Sequence, residues 1–264
     1  MCRPQTQLGR AVSSLTTPSI PYDGGFFDYI SIGSRRSAAI VAPLVLKHYQ
    51  ASSLADIGCG RGAWLAEWQR AGVADSIGVD GDYIDRDGLL ISPGRFATHD
   101  LTKPFEIGRR FDLVVSLEVG EHIDPGDTET FVDNLCRHAD AILFSAAVPG
   151  QGGVLHVNEQ DYAFWRQRFS ARGYRLFDFV RPNLTSHLQV EPWYRYNSLF
   201  FARADAVERL SDEARSAEIK PDQPVPDYSP IYWRVRNAII RRLPPRIYQR
   251  LVEAKHQFVR WRHS

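Results

Sequence analysis

The chain has 264 residues, 44% hydrophobic and 24% charged, enough for one ordinary core with extensions and too few for two full domains. Three cysteines (Cys2, Cys59, Cys136) without a Cys-x-x-Cys pair argue against a disulfide framework, and the longest apolar run, Ala38 to Leu46, is broken by Pro43 and too short to cross a bilayer. The net charge of +1 hides an uneven distribution: from Ser229 onward nine Lys/Arg face one acid, Glu253, a surplus of +8, so the first 228 residues carry −7.

Residues 1–20, rich in Ser, Thr, Pro and Gln with no apolar period, read as a flexible arm. The arm lacks the layout of a secretory signal, so a soluble, cytoplasmic protein is expected. Residues 21–50 read as a helical cap. Its first part, YDGGFFDYISIGS (22–34), offers Phe26, Phe27 and Tyr29 either as a cover over a pocket or as packing of an added helix. In SRRSAAIVAPLVLKHY (34–49), Ala38, Val41, Val45 and Leu46 recur near helical spacing, with a kink expected at Pro43.

From residue 51 to 205 short apolar runs alternate with amphipathic segments. SLADIG (53–58), DSIGVDG (75–81), RFATHD (95–100), FDLVVSL (111–117) and DAILFSAAV (140–148) read as strands. GAWLAEWQRAG (62–72), DTETFVDNLCRHA (127–139) and NEQDYAFWRQRFSARGY (158–174) read as helices, the last with Asn158 as cap and Gly173 as stop. YRLFDFVRP (174–182) and RYNSLFFARA (195–204) close the domain as a strand pair. Between them VEPWYRYN (190–197) carries Trp193, Tyr194 and Tyr196, suited to sugar stacking or to packing. Such alternation predicts an α/β domain whose mostly parallel sheet is covered on both faces. Residues 206–230, with KPDQPVPDYSP, read as a linker, and residues 231–264 as a basic amphipathic helical tail. That tail suits an anionic membrane surface, a homodimer contact or packing against the acidic body. The acidic body offers no basic groove, which argues against nucleic acid.

The chemistry concentrates at strand ends. DIGCGRGAW turns from the first strand into the first helix, and Gly58, Gly60 and Gly62 allow a tight bend and close approach to a ligand. Ala63 completes G-x-G-x-x-A, so a dinucleotide is one reading. Asp56, Asp80 and Asp100 end three successive strands and favour a cationic nucleoside over a pyrophosphate. Asp56 would attract an ammonium or sulfonium group, Asp80 both ribose hydroxyls, and Asp100 an adenine amino group, with Leu101 against the ring.

Residues 26–204 resemble class I S-adenosylmethionine-dependent methyltransferases, on LADIGCGRG, on GVDGD with Asp80 and Gly81, and on HDL. SLEVGEHI and AAVPGQGGVLHVNEQ further resemble bacterial members that modify glycans and natural products. The resemblance implies a doubly wound Rossmann-like seven-stranded sheet with an antiparallel last strand. It also implies methyl transfer to an acceptor oxygen, a saccharide or glycosylated metabolite first, with Glu118 beside the reacting methyl group. Lipid-linked and RNA ribose acceptors, or a donor-binding assembly partner without turnover, are the alternatives.

A helical turn after Leu117 would put Glu118, Glu121 and His122 on one face. His156 follows in a glycine-rich loop, read as a mobile lid. Three readings stay open. The four resemble the Glu/Glu/His/His set with which some methyltransferases of RNA 3′-terminal riboses and of the ubiquinone pathway hold a divalent ion. Alternatively His156 is a general base oriented by Glu118 or Glu121. In the third, these side chains only solvate the fold and catalysis is by proximity.

Overall fold

Strands that are apolar at consecutive positions must be covered on both faces. The computed structural model meets that demand in a three-layer arrangement; it describes the backbone of residues 24–244 and the side chains of residues 31–244. The N-terminal arm, the side chains of Phe26, Phe27 and Tyr29, and the tail beyond Pro244 lie outside the described residues.

The cap is one helix, α1 (Gly24–His48), which continues through Pro43. The alternating core follows as β1 (Ser53–Ile57), α2 (Ala63–Arg70), β2 (Asp75–Asp80), β3 (Phe96–Thr98), β4 (Leu113–Leu117), α3 (Thr128–His138), β5 (Ala141–Ser145) and α4 (Tyr162–Ser170). After it come β6 (Arg175–Phe177), α5 (Val180–Leu184), α6 (Pro192–Asn197) and β7 (Leu199–Ala202). The sheet order is β3-β2-β1-β4-β5-β7-β6, with β7 antiparallel to both β5 and β6.

The expected seven strands are joined by an eighth. The segment read as a linker folds into α7 (Asp205–Glu208), α8 (Asp212–Ser216) and β8 (Glu218–Ile219), which pairs antiparallel with β6. Pro and Asp are frequent only after Lys220, so the composition shift lies downstream of the folded part. The basic segment then opens with α9 (Ile231–Ile240).

Alternate strand positions feed two cores. Leu54, Leu113, Leu143 and Phe200 pack with α1 and α2, whereas Ala55, Val114, Ile142 and Phe201 pack with α3 and α4. The helix expected from Asn158 begins instead after Asp161, whose carboxylate accepts the Phe164 N–H at 2.8 Å. Asn158 is buried and occupied elsewhere, its amide donating to Thr128 Oγ1 at 3.0 Å and its N–H to the Glu121 carbonyl. In α6 the packing role fits Tyr194, which bonds Ser34 Oγ at 3.0 Å and lies against Trp64. The carboxyl ends of β1, β2, β4 and β5 open on one side, where the strand order reverses between β1 and β4.

Candidate active site

The bend after β1 is shaped by its neighbours. Gly58 has φ of 84°, and a Cβ there would lie 2.3 Å from Val119 Cγ2. Gly60, also left-handed, would meet nothing within 4 Å, so the bend looks onto open space at that point. Its N–H donates to Asp80 Oδ2 at 2.6 Å, while Asp80 Oδ1 accepts the Gly81 N–H at 2.7 Å and the Tyr83 hydroxyl. Burial raises the Asp80 carboxyl, and these three bonds oppose it.

Asp56 is buried beside Asp80, and its Oδ2 has no hydrogen-bond partner among the described residues. Burial, then the Asp80 charge, push its carboxyl up to about 8. Asp100 is exposed and accepts from the Thr102 hydroxyl at 2.6 Å and N–H at 2.9 Å, which hold it below the usual carboxylate range; Leu101 is buried next to it.

Beyond β4 no helical turn puts Glu118, Glu121 and His122 on one face. Glu118 is left-handed at φ 57°, and only a single tight turn, Gly120–His122, follows. The Glu118 N–H is held by the neighbouring strand, donating to the Ser145 carbonyl and hydroxyl, both at 3.0 Å, and its carboxyl stays close enough to Glu121 to raise that acid. The Glu118 carboxylate accepts from Gln151 Nε2 at 2.7 Å and, at 3.5 Å, from Asn197 Nδ2, which also donates to Gln151 Oε1 at 2.8 Å. Burial raises the Glu118 carboxyl against these bonds.

Glu121, His122 and His156 do converge, with one ligand atom from each within 4.8 Å of the others. Glu121 is wholly buried with neither oxygen bonded among the described residues, and burial followed by Glu118 pushes it well above the usual range. His122 Nδ1 lies 3.3 Å from the Leu155 carbonyl; partial desolvation, then His156, lower this imidazole to about 4 although part of the residue stays exposed.

The acid that pairs with His156 is Glu159, at 2.9 Å from Nδ1, rather than Glu118 or Glu121. The same carboxylate accepts the N–H groups of Gly150 and Gly152, both at 2.7 Å. Burial works against its ionisation, but the His156 bond and the two backbone donors keep it below the ordinary range. The loop expected as a free lid is therefore fastened by Glu159, and the Val157 N–H anchors it further on the Glu121 carbonyl at 2.9 Å. A third fastening comes from α9, where Arg236 donates to the Gln151 carbonyl at 3.0 Å. A cavity of about 330 Å³ lies between α9 and the body, walled by Tyr162, Tyr196, Asn197, Asp227, Trp233 and Asn237 among others.

A family model described as a methyltransferase domain matches residues 29–179. The chain belongs to that methyltransferase family. No curated protein matches the sequence. Solved structures share the fold of this chain. An O-methyltransferase family protein from Burkholderia thailandensis is 15% identical, with 68% of this chain and 58% of that one aligned at a TM-score of 0.51. An amino pentose methyltransferase from Micromonospora echinaspora, solved with SAM bound, is 17% identical, with 71% and 100% covered at 0.50. A putative O-methyltransferase from Nostoc punctiforme is 14% identical, with 68% and 59% covered at 0.50. The chain thus spans less than two thirds of the length of two of these three. The dinucleotide reading of the Gly58–Ala63 bend is set aside by the family match.

Sequence reasoning missed Tyr83, Gln151, Glu159 and Asn197 as neighbours of these residues. Glu159 had a signal, following a loop whose glycine N–H groups need an acceptor. Asn197 had none, because its contact with Glu118 spans 79 positions.

Proposed function

We propose that this methyltransferase takes a methyl group from S-adenosylmethionine and delivers it to a hydroxyl of a saccharide or glycosylated metabolite. The observation that carries the donor site is the buried, unpartnered Oδ2 of Asp56 beside a bend whose Gly60 faces open space. A buried polar atom without a partner is costly, and the donor's ammonium group supplies one while favouring the ionised acid. Gly58, Gly60 and Gly62 give the donor backbone room, and Asp80 with Gly81 takes the ribose. The Tyr83 hydroxyl on Asp80 marks where a ribose hydroxyl would sit. Asp100 and Leu101 take the adenine, leaving Glu118 next to the sulfur. The acceptor extends from beside Glu118 toward the cavity under α9, which borders the Glu118 cluster through Asn197; its volume suits a small ligand and its Tyr162, Tyr196 and Trp233 combine apolar faces with polar groups.

His156 is the proposed base. With Glu159 ionised, Nδ1 donates to it and Nε2 is left to accept the hydroxyl proton as the methyl moves. Gln151 and Asn197 hold Glu118 in place. Glu121 gives the site a second buried acid. The donor set also fits a divalent cation: Glu121, His122 and His156 would hold it, the bonded Nδ1 atoms match the outer partners of metal-bound imidazoles, and the unpartnered Glu121 oxygens would be satisfied. When bound, such an ion would lower the pKa of an acceptor hydroxyl.

The test is a saccharide acceptor screen with isotopically labelled donor, with and without EDTA, beside donor titration by calorimetry. Labelled product supports the enzyme, donor binding without product on any acceptor class supports a non-catalytic partner, and absence of donor binding overturns the proposal. Turnover retained in EDTA removes the cation. His156→Ala is expected to lower turnover ~10²- to 10⁴-fold, and an unchanged rate eliminates its role as base.

A further inference from the structure

α9 presents two unlike faces. Its inner face carries Trp233, Arg236 and Asn237 onto the body, where a Cβ on Gly150 would lie 2.2 Å from the Asn237 carbonyl oxygen. Its outer face carries Ile231, Tyr232, Val235 and Ile239, which are 72%, 68%, 53% and 57% exposed. At ~3.6 residues per turn these four fall within roughly 100° of arc, an apolar stripe. Arg242 is exposed within that arc, while Arg234 and Arg241, also exposed, sit on the side of the helix that lines the cavity; none of the three forms an ion pair among the described residues. The sequence beyond α9 adds Arg246, Arg250, Lys255, Arg260 and Arg262, against Glu253 as its sole acid.

We propose that the outer face of α9 docks on an anionic lipid bilayer surface. Charge argues for lipid over a second copy of the chain: two such faces would juxtapose surpluses of positive charge, whereas acidic headgroups neutralise them. The body's charge of −7 repels the same headgroups, so only the α9 end approaches, with the apolar stripe reaching the headgroup boundary and the arginines above it. No described helix is long and apolar enough to cross a membrane, so the contact is interfacial. It is independent of the donor and acceptor assignments.

The test is co-sedimentation of the full chain with phosphatidylglycerol/phosphatidylcholine vesicles and with phosphatidylcholine alone, alongside light scattering without lipid. Binding is expected to the anionic vesicles only, to weaken with added salt, and to drop at least ~10-fold in the V235D/I239D variant. Both positions are exposed, and an unchanged melting temperature confirms that the variant folds. Arg242→Gln is a second variant, expected to weaken anionic binding without changing the fold. Absence of vesicle binding, binding that V235D/I239D leaves unchanged, or a dimer without lipid that this variant dissociates would each overturn the proposal. Calorimetric donor binding reports separately on the methyltransferase reading.

Discussion

Asp56 holds a carboxyl group where water is excluded and another acid is the nearest charge. The folded group titrates near about 8, whereas an unfolded aspartate titrates near ~3.9. Between those values the native state binds the extra proton, so Asp56 lowers stability progressively as pH rises through the window. Asp56→Asn is accordingly expected to raise the melting temperature of the unliganded protein by more at pH 8 than at pH 5, and to abolish donor binding. The wild type should release a proton on binding donor at pH 7, read as a heat that depends on the buffer's ionisation enthalpy. An equal gain at both pH values would refute the assigned titration. Asp56 and Asp80 were legible in the sequence because the strand-turn-helix pattern places them without further information. The Glu118 surroundings were not, since its left-handed backbone is set by Ser145 on the next strand. Nor did spacing show that His156 leans on Glu159, because three positions bring side chains together in a helix and this stretch is a loop.

Among the elements, the β1–α2 bend has the least tolerance. Gly58→Ala would combine a left-handed φ with a Cβ 2.3 Å from Val119 Cγ2. Strain of ~1–3 kcal/mol and crowding of similar size are expected together, measurable as a lower urea midpoint with donor binding lost. A normal midpoint would mean that Val119 yields. Periodicity gave most strands and helices of residues 51–205 because each had to bury an apolar face, but the closing strand pair read at 174–182 and 195–204 is shorter, with α5 starting at Val180 and α6 running to Asn197. It failed at α4, where Asn158 looked like a cap but turned inward to Thr128, leaving the role to Asp161. It failed again after Ala204, where α7, α8 and β8 are too short to show a period.

For the molecule as a whole, the sheet and the C-terminal elements are joined through one buried cation. Arg181 is fully buried, pairs with Asp178 at 2.6 and 2.9 Å, and donates to the Tyr196 carbonyl at 3.2 Å. Its guanidinium lies over Tyr162 of α4 and Tyr228 just before α9. Removing one partner strands the other charge, so Asp178→Asn is expected to cost ~3–5 kcal/mol in urea unfolding; a loss below about 1 kcal/mol would show that Arg181 finds another acceptor. The third-layer contacts of α9 could not be read from composition, which showed only a basic amphipathic segment. β8 has a last consequence. It leaves one rim of the sheet only two residues long, with Lys220 immediately after it paired to Glu218, while the opposite rim, β3, is three residues long. Open rims recruit strands from other chains when they are long and uncharged. Rims this short offer little template for edge-to-edge pairing with another chain.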